Sequence, residues 1–378
     1  MVNWEELEEI HDTLNTKKYL LAQGEDLELT LQKNRDTVTD VARTLNFVEK
    51  IVICGAGDKY AIPLIAQYLW RSFSRKPMIV IHSKILAEYP NFLDDRTCVF
   101  LLSQSGRTKD TLLAMKMAMD RGAVCIGITN MREVERGTLF DVSTYPNGIL
   151  VRTYTKYYPE KPLPATGTFH TTLFILNLIL LSAIQEEGFY DVSSYIKFQT
   201  EQLPKLTHRL STSVELIDWS REMALKLSNF KQESFYILGD GPRYGIARKA
   251  MINFMEGSKQ DCMALETEEF HHNLIATLDR VNLTKKFLIL IKPKEGFVSE
   301  HMSKLLMEIY TYWMKFGEEE KYLEIDPFKF VDVVVESTLG NLLTPPLYAI
   351  PIQWITYYLA LLKGTDPGFS EVVGKVRG

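Results

Sequence analysis

The sequence predicts an α/β protein made of two tandem units, each a parallel sheet covered by helices. Three observations carry that expectation. Short apolar runs alternate with segments of helical periodicity, the pattern of strands joined by crossover helices. The alternation runs through both halves of the chain. The halves also share a segment: Gly55-Ala56-Gly57-Asp58-Lys59-Tyr60-Ala61-Ile62 matches Gly239-Asp240-Gly241-Pro242-Arg243-Tyr244-Gly245-Ile246. Each copy follows an apolar run and opens a helical pattern. Shared Gly, basic residue, Tyr and Ile in register favour duplication over two chance glycine turns.

Taken in order, a charged helical segment, Trp4–Phe47, precedes the first unit and is expected to pack across the domains. First-half strands are predicted at Lys50–Gly55, Met78–His82, Cys98–Ser103, Ala123–Asn130 and Phe140–Tyr145. Helices at Ala61–Ser74 and Thr108–Arg121 lie between them, the latter with Leu112, Met115 and Ala118 among its periodic apolar positions. Second-half strands are predicted at Ser234–Gly239, Cys262–Leu265, Phe287–Lys292, Lys321–Ile325 and Val331–Val335, with helices Ile246–Gly257 and Ser299–Phe316. The expected domain limits are 1–47, 48–190, 191–364 and a tail, 365–378.

Composition narrows the function classes. The 378 residues carry 43 Lys+Arg against 48 Asp+Glu, so no basic excess exists to hold nucleic-acid phosphates. A hydrophobic content of 46% is enough to bury a core, which argues against disorder. Cys54, Cys98, Cys125 and Cys262 form no CxxC pair, so neither a disulfide framework nor a zinc site is expected. Buried thiols suit a reducing, cytoplasmic setting. The acidic N-terminus lacks the apolar stretch of a secretion signal. The apolar stretches Thr168–Ile184 and Leu347–Leu362 fall short of the ~20 clean residues of a membrane span and are expected as buried helices.

The sharpest chemical signal is Ser103-Gln104-Ser105-Gly106-Arg107-Thr108, where a strand end runs into a helix. Ligands of parallel α/β sheets bind at the carboxyl ends of strands. A helix N-terminus there offers unpaired N–H groups and partial positive charge to an anion. Helix capping needs one hydroxyl; three hydroxyls with Gln and Gly favour a phosphate cradle. The matching place in the second half, Lys292-Pro293-Lys294-Glu295-Gly296, lacks that set, so one phosphate site is expected. Gly55-Ala56-Gly57 is not a dinucleotide fingerprint, because its third glycine would fall on Tyr60. Asp58 and Lys59 fit either a ligand contact or a solvated loop.

The strand–SQSG–helix, the duplicated units and the closing run Pro351, Gln353, Tyr357, Ala360, Leu362, Lys363, Gly364, Thr365 and Asp366 together resemble the double sugar-isomerase-domain (SIS) family. That family includes the isomerase half of glucosamine-6-phosphate synthase, fructosamine-phosphate deglycases and amino-sugar-phosphate deaminases. The resemblance covers about residues 25–378. It implies two tandem flavodoxin-like domains, with sites shared between the subunits of a homodimer. It assigns phosphate binding to Ser103, Gln104, Ser105 and Thr108, and a sugar-site hydroxyl to Thr166. It also implies a catalytic glutamate at Glu256, a ring-opening histidine from the neighbouring subunit at His272, and a tail lysine at Lys375.

The chemistry accounts for those residue types. Aldose–ketose isomerisation moves a proton between C1 and C2 through an enediol, using one carboxylate that desolvation makes more basic. Glu256 ends an apolar helix where that is available, although a solvated helix-end carboxylate is the plainer alternative. A histidine can shuttle the ring-opening proton near neutral pH, and a lysine can stabilise an enediolate. His271 and His272 lie among Glu266, Glu268 and Glu269, but with poor metal spacing, so no metal or other cofactor is expected. Lys375 has the alternative of an ordinary basic tail residue.

Departures from the family pattern qualify the resemblance. Gly57 stands where the family has a phosphate-loop serine. Arg107 replaces an acidic residue and hints at a strongly anionic group, conceivably a sulfonate. Lys249 and Asn253 replace a Glu and a Lys, and Asn273-Leu274 replaces Gly-Pro. No glutaminase segment is expected, and residue 2 is Val rather than a nucleophilic Cys. The expectation is an isomerase or deaminating isomerase of six-carbon sugar phosphates, with no nucleic-acid or membrane partner. A fructosamine-6-phosphate deglycase, a sulfonated-sugar isomerase and a non-enzymatic sugar-phosphate sensor are the alternatives.

Overall fold

The structure is a computed structural model that describes residues 2–230, 233–277, 286–298, 300–316, 321–372 and 374. It contains two compact units. The first comprises Ala22–Lys161 and Ala165–His208; the second comprises Met1–Leu21, Pro162–Pro164 and Arg209–Val373. Each is an α/β unit around one parallel sheet.

In the first unit the strands are β1 (Lys50–Gly55), β2 (Met78–His82), β3 (Thr97–Leu102), β4 (Val124–Thr129) and β5 (Gly148–Arg152). Their order is β2-β1-β3-β4-β5, all parallel. This is the flavodoxin-like order, in which the crossover helices cover both faces. Central strands β1 and β3 are buried on both faces, which explains their unbroken apolar runs, Ile51-Val52-Ile53-Cys54 and Cys98-Val99-Phe100-Leu101-Leu102.

The fifth strand departs from expectation. Residues Leu139–Thr144 form a short 3₁₀ helix, and the strand begins at Gly148. Side-chain bonds to nearby main chain account for the change. Thr138 Oγ1 accepts the Phe140 N–H at 3.2 Å, Ser143 Oγ donates to the Phe140 carbonyl at 2.7 Å, and Thr144 Oγ1 donates to the Asp141 carbonyl at 3.0 Å. Such bonds compete with a sheet ladder.

The second sheet contains β6 (Ser234–Leu238), β7 (Cys262–Leu265), β8 (Lys286–Ile291) and β9 (Tyr322–Ile325), in the parallel order β7-β6-β8-β9. This is the first sheet's order without its fifth member, among the described residues. Val331–Val335 is not a strand. It alternates in burial as a strand would, with Val331 and Val333 buried and Val334 exposed, but no ladder forms and Lys294 Nζ donates to the Val333 carbonyl.

The repeated segment is also repeated in conformation. Gly57 and Gly241 precede their helices at φ 56°, ψ −129° and φ 53°, ψ −127°, a region open chiefly to glycine. These turns start helices Asp58–Phe73 and Pro242–Glu256 earlier than apolar periodicity alone indicates.

Each unit is anchored by one long apolar helix, Gly167–Glu187 in the first and Pro345–Leu362 in the second. Gly167–Glu187 is, among the described residues, the one helix long and apolar enough to cross a membrane, and it is almost wholly buried inside the protein. Being apolar all round, it suits a core position. It packs against Gln23–Asn46 and Asp58–Phe73. The cysteines are free, and burial pushes the Cys54 and Cys125 thiols up to about 12, which leaves them inert at neutral pH.

Asp26, on helix Gln23–Asn46, is buried against Gly167, where a Cβ would lie 2.0 Å from its Oδ2. Its Oδ1 accepts the Lys156 N–H at 2.7 Å. Burial first, opposed by that bond and assisted by Glu160 and Glu25, raises its carboxyl from 3.8 to about 8. The folded chain therefore keeps a proton between those values that the unfolded chain releases. The associated stability is complete below pH 3.8 and is lost as pH rises toward about 8. Between pH 5 and pH 8, Asp26→Asn should flatten the fall in urea-unfolding free energy, wild type losing up to about 1.4 kcal/mol more per pH unit. Parallel pH profiles for the two proteins would contradict this assignment.

Candidate active site

Strand β3 ends in a loop held open by its neighbours. The Gln104 carbonyl accepts the Asn130 N–H and the Thr129 hydroxyl, each at 3.1 Å, and the Gly106 carbonyl accepts the Leu139 N–H at 2.8 Å. Three successive features then face the start of helix Lys109–Asp120. Ser103, 2% exposed, lies with its Oγ 2.9 Å from Thr108 Oγ1. Ser105 Oγ accepts the Arg107 N–H at 3.2 Å. Thr108 occupies the N-cap position, yet its side chain makes no capping bond to its own helix. The hydroxyls are thus not spent on ordinary capping. What remains is a pair of hydroxyls, Ser103 and Thr108, at a helix N-terminus, with a third, Ser105, in the same loop, an arrangement suited to a compact anion.

Two other expected members of this set behave differently. Arg107 is ion-paired with Glu135, so its charge already has a partner within the chain. Gly57 contributes only backbone, and a Cβ built there would meet nothing within 4 Å.

A residue not recognised from sequence connects the cradle to Thr166. Glu160, 2% exposed, accepts the Thr166 N–H at 2.7 Å, the Thr166 hydroxyl and the Thr168 hydroxyl. Its Oε2 also accepts Gln104 Nε2 at 3.2 Å. Glu160 thus joins Gln104 to Thr166 and Thr168 in the first unit, and Ser103, Ser105 and Thr108 lie on the same loop as Gln104. The available sequence signal was an acidic residue just before a Thr-rich helix start, where the helix dipole favours negative charge. Lys59 is not a solvated loop residue: it is 5% exposed, and its Nζ donates to the Thr168 carbonyl at 2.7 Å and Thr172 Oγ1 at 3.3 Å. Asp58 Oδ2 accepts the Ala165 N–H at 3.2 Å.

In the second unit, Glu256 is the last residue of helix Pro242–Glu256 and is half-buried. Lys259, at φ 54°, turns back beside it and donates to the Glu256 carbonyl and, at 2.8 Å, to the Phe369 carbonyl. Burial lowers the Lys259 ammonium, while Asp366 and Glu256 act in the opposite direction. The chain after the last helix is thereby fastened to the end of the glutamate's helix. Asp366 secures it again by accepting the Thr13 N–H at 3.1 Å and the Gly368 N–H at 2.7 Å. Lys375 lies outside the described residues.

Lys249 and Asn253, one turn apart on the same helix, are buried and hydrogen-bonded at 2.5 Å. His272 ends helix Thr267–His272; its side chain is 68% exposed and its Nε2 lies 3.0 Å from Glu268 Oε1. His271 pairs with Glu308 at 3.5 Å. His272 thus has a carboxylate of the acidic run beside it and His271 one from helix Glu300–Phe316, and no His/Cys/Asp/Glu group able to hold a metal occurs among the described residues.

The chain is similar in sequence and fold to known proteins. Residues 45–147 match the family model of the SIS domain. A glutamine–fructose-6-phosphate aminotransferase (isomerizing) from Pyrococcus horikoshii is 29% identical over 358 residues, covering 93% of this chain and 55% of the relative. The chain thus spans about half the length of the curated relatives it matches. Among solved structures, the C-terminal domain of glucosamine-fructose-6-phosphate aminotransferase from Francisella tularensis aligns with a TM-score of 0.75 at 20% identity, covering 93% of this chain and 96% of that one. Glucosamine-6-phosphate deaminase from Thermotoga maritima aligns with a TM-score of 0.64 at 20% identity, covering 97% and 96%. The match to the SIS domain thus falls within the first unit, and the similarity in fold to these solved structures extends along nearly the whole chain.

Proposed function

We propose that this chain is an isomerase of a six-carbon sugar phosphate, with Ser103, Gln104, Ser105 and Thr108 holding the phosphate and Glu256 moving the proton. The observation that carries this reading is the Ser103–Thr108 hydroxyl pair above a helix N-terminus without a side-chain cap. The names of the relatives support it: one rearranges fructose 6-phosphate while aminating it, and another deaminates glucosamine 6-phosphate.

In the proposed reaction the Glu256 carboxylate removes the proton from the carbon beside the carbonyl. The C–H electron pair becomes the enediol double bond as the carbonyl oxygen is protonated. Glu256 then returns its proton to the former carbonyl carbon, while the other enediol hydroxyl releases its proton and becomes the new carbonyl. His272 serves ring opening, from the neighbouring subunit of a homodimer; its exposure supports a role directed outward from its own chain. Lys375 is assigned to the developing enediolate and Thr166 to a sugar hydroxyl. A substrate bearing an amine at the reacting carbon would become an imine through the same proton transfer, and addition of water would then release the amine and leave a carbonyl, which makes deamination and deglycation variants of one mechanism. The reading places the enzyme in the cytoplasm, supported by its free thiols.

The purified chain should be incubated with fructose, glucose, glucosamine and fructoselysine 6-phosphates, and isomer, ammonia and amine measured. Conversion of one of them is expected; binding without conversion would favour the sensor reading. On the productive substrate, Glu256→Gln should reduce kcat by about 10²–10⁴-fold and leave phosphate affinity unchanged. Surviving turnover would overturn the assignment of the base. Ser103→Ala and Thr108→Val should each weaken inorganic phosphate inhibition by about 10-fold or more, since a hydrogen bond to a charged group is worth roughly 1.5–3 kcal/mol. Unaltered inhibition in both variants would remove the cradle from the mechanism.

A further inference from the structure

Glu160 joins three pieces of backbone that are separate in sequence: the loop after β3 through Gln104, its own loop after β5, and the start of helix Gly167–Glu187 through Thr166 and Thr168. A buried carboxylate is an adverse neighbour for an anion, so its place beside a phosphate cradle calls for a physical reason. Hydrogen-bond direction supplies one. An ionised carboxylate only accepts. By accepting one N–H of the Gln104 amide, Glu160 fixes which end of that side chain is nitrogen and leaves the second N–H as a donor. By accepting the Thr166 hydroxyl proton, it leaves Thr166 Oγ1 to act toward any ligand as an acceptor. Thr168 and the Thr166 N–H add further donors that keep a buried charge tolerable. Four donors from the protein converge on Glu160, the surroundings of an accepting carboxylate.

We infer that Glu160 is a positioning and specificity residue that fixes Gln104 as a hydrogen-bond donor to phosphate and Thr166 as an acceptor from a sugar hydroxyl. This inference rests on the proposed sugar-phosphate reading. It adds that the hydroxyl opposite Thr166 must donate, so a deoxy or O-methyl analogue at that position is discriminated against.

The test uses the full chain with inorganic phosphate and with the hexose 6-phosphate it converts. Glu160→Gln keeps the side-chain shape but introduces a donor, which competes with the Gln104 N–H and the two threonine hydroxyls. Its KM is expected to rise about 10-fold or more, with kcat within about threefold of wild type. Phosphate binding, read by titration calorimetry, is expected to weaken as well. In a Gln104→Ala background the effect of Glu160→Gln on phosphate binding should largely disappear, because it acts through Gln104. Additive effects, or wild-type KM and phosphate affinity in Glu160→Gln, would overturn the inference. Should Glu160→Gln fail to unfold cooperatively, Thr168→Val removes one donor to Glu160 and should shift KM in the same direction; an unchanged KM there would also overturn it. A wild-type chain that binds neither phosphate nor any hexose 6-phosphate would instead defeat the functional reading.

Discussion

A parallel sheet buried on both faces has no wet face on which to place polar chemistry. Strands β1 and β3 spend every inward and outward position on packing, so reactive groups are confined to the loops at strand ends. That constraint organises the first unit. Ser103 comes at the first residue beyond β3, and the loops after β4 and β5 supply the groups that hold the cradle in shape. Thr129 and Asn130 fix the Gln104 carbonyl, while Glu160 fixes the Gln104 side chain.

The second consequence is electrostatic. A site built on helix N-termini attracts negative charge, whether from a ligand or from the protein. The first unit uses both: one helix start carries the hydroxyl pair, and the other, at Gly167, is faced by the buried carboxylates of Glu160 and Asp26. Burial first, and Glu160 after it, raise the Asp26 carboxyl. Core stability and site polarity are thus linked through one pair of acids.

Much of this was legible in the sequence. Apolar runs located eight of the nine described strands, because burial on both faces leaves a strong signal. The matched glycine segments announced a repeat that the backbone repeats at Gly57 and Gly241 within a few degrees. Errors arose where local side chains competed with the ladder, at Leu139–Thr144, and where alternation occurred without a neighbouring strand, at Val331–Val335. The hydroxyl set Ser103–Thr108 stood out because its members are adjacent. Glu160 did not, since its partners Gln104 and Thr168 are brought to it by the fold. For the same reason the ion pair of Arg107 with Glu135 and the burial of Lys59 were not legible in the sequence.

The central claim is that the end of β3 receives the phosphate of a sugar. A crystal structure with a hexose 6-phosphate bound tests it most directly. The account predicts the phosphate oxygens within hydrogen-bond reach of the Ser103, Ser105 and Thr108 hydroxyls and of the first N–H groups of helix Lys109–Asp120. A phosphate bound anywhere else on the chain would contradict it.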